Sequence, residues 1–227
     1  MKYAMNSIAA CAYQTGARSL FLINLLVLTG CALPGPPVRP AVYDFGPGAR
    51  SPVAASAPRQ APRPAAVLLT EVQASPALES TAMLYRLSYA NAQQLRPYAL
   101  ARWSMTPAQL LRQRLREQLS EQRSVLQPGE ISPPVAGKPA SAAGPLTLRI
   151  ELEEFSQLFE APEQSVGLLR LRATLIRISP SGEKEVAQRS VIVQRPASSA
   201  DAPGGVRALS EATDAAVQEL SAWLAAF

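Results

Sequence analysis

The chain has 227 residues, with 22 Lys and Arg against 17 Asp and Glu, no histidine and two cysteines. Lacking histidine, it cannot build Ser-His-Asp or Cys-His machinery or most zinc sites. Its formal net charge of +5 is spread among acids and is no nucleic-acid footprint. The length fits one domain of ordinary size with connecting segments.

The N-terminus reads as an address. Basic Lys2 and Arg18 precede an apolar run over residues 20–28. At about nine residues this run suits a signal-peptide core and is too short to span a bilayer. Leu28-Thr29-Gly30-Cys31 follows, and it resembles the lipobox of bacterial lipoproteins. The resemblance implies cleavage after residue 30, a diacylglyceryl group on the Cys31 thiol and an N-acyl chain such as palmitate. Durable anchoring takes more than one acyl chain, so a triacylated Cys31 would hold the domain at a membrane. Ala32 follows, where an Asp would favour retention at the inner membrane. By that likeness the site is the periplasmic face of the outer membrane. Removing Lys2 and Arg18 leaves a mature charge of +3, and removing Cys11 leaves Cys31 as the sole thiol, used by lipid. The mature chain then has no thiol for a disulfide, a zinc site or a nucleophile, and no motif argues for carboxylate-only or Ser-Lys chemistry, so no catalytic or metal residue is expected.

Residues 31–41 form a proline-rich stalk, and the domain proper is expected over residues 42–227. Residues 42–45 alternate as a short first strand. Residues 46–64, rich in Pro, Ala, Ser and Arg, cannot bury enough apolar surface to order and are expected to be a disordered loop. Residues 67–72 and 81–88 read as strands separated by turn signals, with Ser75-Pro76 the clearest. Residues 95–103 read as a weaker strand, because Pro97 suits an edge.

Thr106-Pro107-Ala108-Gln109 carries an N-cap, a proline at the first helical position and a glutamine three residues after the cap. An amphipathic helix of about 17 residues follows, with Leu111, Leu115 and Leu119 as its stripe and charged residues around it. Residues 127–144 are proline- and glycine-rich, a second disordered loop. Residues 146–152 alternate as a half-buried strand. The phase breaks at Glu153-Glu154-Phe155, the mark of a bulge. Residues 167–178 and 185–194 form a strand pair about the turn at 179–182. Residues 201–227 close the chain as a helix with a three- and four-residue apolar repeat. This order predicts an α+β fold, a single antiparallel sheet with two amphipathic helices packed on one face.

Four stretches together resemble the ABC-type transport auxiliary lipoproteins, the PqiC/YmbA-like intermembrane transport family. They are Tyr43-Asp-Phe-Gly46; Met83-Leu-Tyr-Arg-Leu87; Arg102-Trp103 with Pro107 and Leu110-Leu111; and Leu152-Glu-Glu-Phe155 with the C-terminal helix. The resemblance implies a non-enzymatic lipoprotein that contributes to membrane integrity. It would dock the MCE (mammalian cell entry) substrate-binding protein of an ABC lipid transporter. The permease and ATPase would be other chains, and this sequence holds no phosphate loop. A ring-shaped MCE partner would make a homo-oligomer natural, and no nucleic acid or cofactor is implied. Tyr85, Arg102 and Trp103 are the expected partner-binding residues, with Arg102 the better exposed; core packing is the competing role for Trp103. An outer-membrane lipoprotein that activates a peptidoglycan synthase would share the anchor and the stalk. A hydrolase using Glu153, Glu154 or Glu160 would need paired carboxylates, and adjacent Glu153 and Glu154 point to opposite faces of a strand unless a bulge intervenes.

Overall fold

The computed structural model describes residues 38–47, 64–129, 146–179 and 182–227. Cys31, the signal segment and nearly all of the two proline-rich loops lie outside the described residues. Residues Pro40–Phe227 form one compact unit.

The fold is built around one long strand, β7 (Leu146–Ala161). Antiparallel β8 (Gln164–Ser179) covers one edge of it along its whole length, and β9 (Gly182–Pro196) continues the sheet beyond β8. Short strands tile the other edge in succession, all parallel to β7. These are β2 (Val67–Leu69) at Leu146–Leu148, β3 (Gln73–Ala74) at Glu151–Leu152 and β4 (Ala82–Leu87) at Gln157–Phe159. Beyond β4 lie β5 (Ala92–Trp103), antiparallel to it, and β1 (Ala41–Tyr43), parallel to β5. β6 (Val125–Leu126) lies parallel to β2.

The described residues thus form a nine-stranded mixed sheet, which corrects the expected all-antiparallel arrangement. The reason is physical. Apolar alternation encodes which face of a strand is buried and carries no information on strand direction. The expected strand at residues 67–72 also splits. Thr70 ends β2, its backbone N–H and its hydroxyl both donating to the Leu148 carbonyl at 3.2 Å, before β3 resumes.

Among the described residues three α-helices accompany the sheet, one more than expected, with a 3-10 turn at Pro76–Leu78. The additional one is α1 (Ser88–Asn91), a single turn between β4 and β5. α2 (Pro107–Ser120) begins at the capping box legible in the sequence. The Gln109 backbone N–H donates to Thr106 Oγ1 at 3.4 Å, and the Thr106 N–H donates to Gln109 Oε1 at 3.1 Å. α3 (Ala202–Leu224) is capped by Asp201, which accepts from the Gly204 N–H at 2.8 Å. α3 packs across β7, β8 and β9, and α2 packs beside α3. The predicted stripe of Leu111, Leu115 and Leu119 is fully buried in a core shared with Leu148, Ile150, Leu169, Leu171, Leu209 and Leu220.

Close contact between α3 and the sheet requires glycine. A Cβ on Gly167 would stand 2.6 Å from the backbone of Ala208 and Leu209, and one on Gly205 would stand 2.1 Å from Gln157 Oε1.

Candidate functional site

The three residues expected to meet a partner separate on folding. Trp103 lies in the core, 1 % exposed. Its ring meets Phe45 edge-on at 5.6 Å and Phe155 at 5.6 Å, and Phe45 closes the trio against Phe155 at 5.9 Å. Tyr85 is half-buried, 4.7 Å from the Tyr98 ring and 5.9 Å from Phe159. Behind it the Tyr98 hydroxyl donates to Gln157 Oε1 at 2.8 Å, and Gln157 Nε2 donates to Ser165 Oγ at 2.8 Å. Burial, with smaller effects from Tyr85 and Asp201, raises the Tyr98 phenol above its ordinary range, so it stays a neutral donor.

Arg102 alone of the three is exposed. It lies opposite Val42 in the β1–β5 register, and alternation along β5 puts Leu100 beside it. Val42 and Leu100 are 53 % and 55 % exposed, and among the described residues Arg102 enters no ion pair. Arginine flanked by exposed aliphatic side chains is a composition that protein interfaces favour.

The motif Tyr43-Asp-Phe-Gly46 is a latch that ties the chain leading from Cys31 to the sheet. The Ser104 N–H donates to the Tyr43 carbonyl at 2.7 Å and extends the β1–β5 ladder. Asp44 Oδ1 accepts from the Gly46 N–H at 2.8 Å, and Gly46 takes a left-handed φ of 66° that a Cβ would penalise. That turn drives Phe45 into the core against Trp103. Arg114 of α2 then holds the backbone, with Nη2 donating to the Phe45 carbonyl at 2.7 Å while Nε meets Asp214 of α3 at 3.2 Å. Burial raises the Asp214 carboxyl above its usual range, and the Arg114 charge opposes that rise.

Two of the carboxylates weighed for catalysis are engaged in ion pairs, and the third, Glu160, is exposed. The bulge between Leu152 and Glu154 turns Glu154 inward, where it is buried and pairs with Arg86 at 3.0 Å. Glu153 faces outward between Arg170 at 3.1 Å and Arg172 at 2.9 Å. Among the described residues no cluster of three metal-ligating side chains occurs.

Arg114 and Arg123 are among the charged residues that flank the leucine stripe in sequence. Both are buried, and Arg123 Nη2 donates to the Leu224 carbonyl at 2.7 Å, closing the C-terminal turn of α3. Their one signal was position beside the leucine stripe, where a long side chain can fold back over the core.

The fold resembles the solved structure of protein XCC0632 from Xanthomonas campestris, of family DUF330. The identity is 19 %, the match covers 71 % of this chain and 86 % of that one, and the TM-score is 0.56. It also resembles an uncharacterized protein of solved structure at 13 % identity, covering 82 % of this chain and 99 % of that one, with a TM-score of 0.55. At these identities the likeness is one of fold. No curated protein matches the chain. Residues 49–221, well over half of the sequence, match the family described as ABC-type transport auxiliary lipoprotein component. That stretch takes in the Trp103–Leu111 segment, the β7 bulge and most of α3, and on this match the chain belongs to the ABC-type transport auxiliary lipoproteins.

Proposed function

We propose that this protein is the non-catalytic, outer-membrane-anchored lipoprotein of an MCE-type ABC lipid transport system, lipidated on Cys31 and docking the MCE substrate-binding protein. The family match over residues 49–221 carries this reading. The lipobox at Leu28-Thr29-Gly30-Cys31 supports it. The latch supports it mechanically. A docking component must transmit load from its anchor, and the chain joins the sheet at Ala41, ten residues after Cys31. Arg102 is the proposed partner contact, with Trp103 and Tyr85 as the packed aromatic layers that fix its strand.

The test is cross-linked affinity purification of the full-length lipoprotein from its own host, with partners identified by mass spectrometry. The expected outcome is an MCE-domain protein with its permease and ATPase, captured less well by Arg102→Glu. Recovery of a peptidoglycan synthase in their place would overturn the transport reading and leave the fold untouched.

A further inference from the structure

Strand polarity sets the end of the sheet from which the chain enters β1. β4 runs with β7, β5 runs against β4, and β1 follows β5. β1 therefore runs against β7, and the chain reaches Ala41 from the side of the β7–β8 turn. The registers Ala41↔Ala101, Ala82↔Arg102 and Tyr85↔Gln157 set Ala41 level with Phe155. At the rise of an extended strand, the turn at 162–163 lies about 23 Å from that level and Leu146 lies about 30 Å in the other direction.

Ten residues separate Cys31 from Ala41, a covalent reach of at most about 35 Å. Taken toward the turn, this length meets a membrane surface with slack. Taken toward Leu146, it must reverse direction at β1 and stretch almost to its limit. Covalent geometry and strand direction favour the same end.

That end comprises α1, the β7–β8 turn and the N-terminus of α3. Ser88 Oγ of α1 donates to the Phe159 carbonyl at 2.7 Å, so α1 is fixed to the last turn of β7. Its Tyr89 is 49 % exposed. Tyrosine suits the membrane interface because its ring takes the apolar side and its hydroxyl the wet side. Arg39, Arg96, Arg195 and Arg207 at this end stand against Glu160, Glu163 and Asp201, and Arg86 is held by Glu154. A contact made here therefore carries a small basic excess.

We infer that the Ser88–Asn91 end of the sheet, with Tyr89 as its aromatic contact, rests on the headgroup layer of the phospholipid membrane that holds Cys31. The inference rests on the reading of Cys31 as lipidated. The Leu146 end then points away from the membrane by the length of β7, about 50 Å. Arg102, level with Glu154, faces sideways and stays open to a partner.

The test uses the full-length acylated lipoprotein in phosphatidylcholine vesicles containing nitroxide-headgroup lipid. A fluorophore is attached through Glu163→Cys at the β7–β8 turn or Ile178→Cys near the opposite end. The expected result is several-fold stronger quenching at 163 than at 178, weakened by Tyr89→Ser. Equal quenching, or stronger quenching at 178, in protein that floats with the vesicles overturns the contact while the anchor stands. Protein that fails to float overturns the anchor and the contact together.

Discussion

At the scale of single residues, Arg114 does more than its place on a polar helix rim foretells. It joins three parts of the chain, α2, α3 and the latch, through Asp214 and the Phe45 carbonyl. Arg114→Met keeps the side-chain length and removes the donors. Hydrogen bonds made by a charged group contribute about 1.5–3 kcal/mol, so the variant is expected to lose stability of that order in urea denaturation. The loss should depend on pH. Burial already holds the Asp214 carboxyl above its ordinary range, and removing Arg114 lifts it further. A carboxyl raised in the folded state costs stability once pH exceeds its unfolded value, and the cost is relieved as pH falls. The deficit of Arg114→Met against the parent chain should therefore be larger at pH 7 than at pH 4. A deficit that does not change with pH would show that Asp214 does not feel Arg114.

Among the elements, α3 is the one whose placement is most exacting. Its approach to β8 leaves no room for a Cβ on Gly167, and the obstructing atoms are backbone that cannot swing aside. Gly167→Ala is expected to cost about 1–3 kcal/mol, as overpacking does, seen as a lowered urea midpoint. The same helix gives a separate acid response through its cap. Hydrogen bonds from Ser199 and from the Gly204 N–H hold the Asp201 carboxyl below its ordinary range. A depressed carboxyl contributes stability above its unfolded value and loses it as pH falls toward its folded value. Asp201→Asn keeps an N-cap acceptor without a titrating group. Its stability should therefore decline less steeply below about pH 4 than that of the parent chain. Parallel acid limbs for the two proteins would show that the cap contributes nothing to acid sensitivity.

For the whole molecule, the organising feature is one long strand that collects the rest of the chain. β8 covers one edge of β7 with β9 beyond it, and three short parallel strands share the other. The latch ties the chain from Ala41 to Gly46 into this same sheet. Cys31→Ser is expected to leave the thermal unfolding curve of the body unchanged and to move the protein from the membrane pellet to the soluble fraction. Recovery of the variant in the pellet would rule out Cys31 as the anchor.

Much of this molecule is determined by local sequence. The Thr106-Pro107-Gln109 box starts α2 where it must, because cap and helix bond each other within four residues. The phase break at Glu153-Glu154-Phe155 marks the β7 bulge, and the three- and four-residue repeat marks α3. Family membership is legible too, since the motifs that carry it are contiguous segments. Other properties depend on segments far apart in sequence. The parallel pairings of β2, β3 and β4 on β7 join stretches some seventy to eighty residues apart, and side-chain alternation is blind to direction. The same holds for the fates of Tyr85, Arg102 and Trp103. Residue type already marks Arg102 as the better exposed and offers core packing for Trp103, and folding makes Tyr85 a half-buried packing ring, Arg102 an exposed cation and Trp103 a core tryptophan. The tertiary structure decides between those competing roles, because burial is set by what a distant segment, here Phe45 and its latch, brings to the other side of the strand.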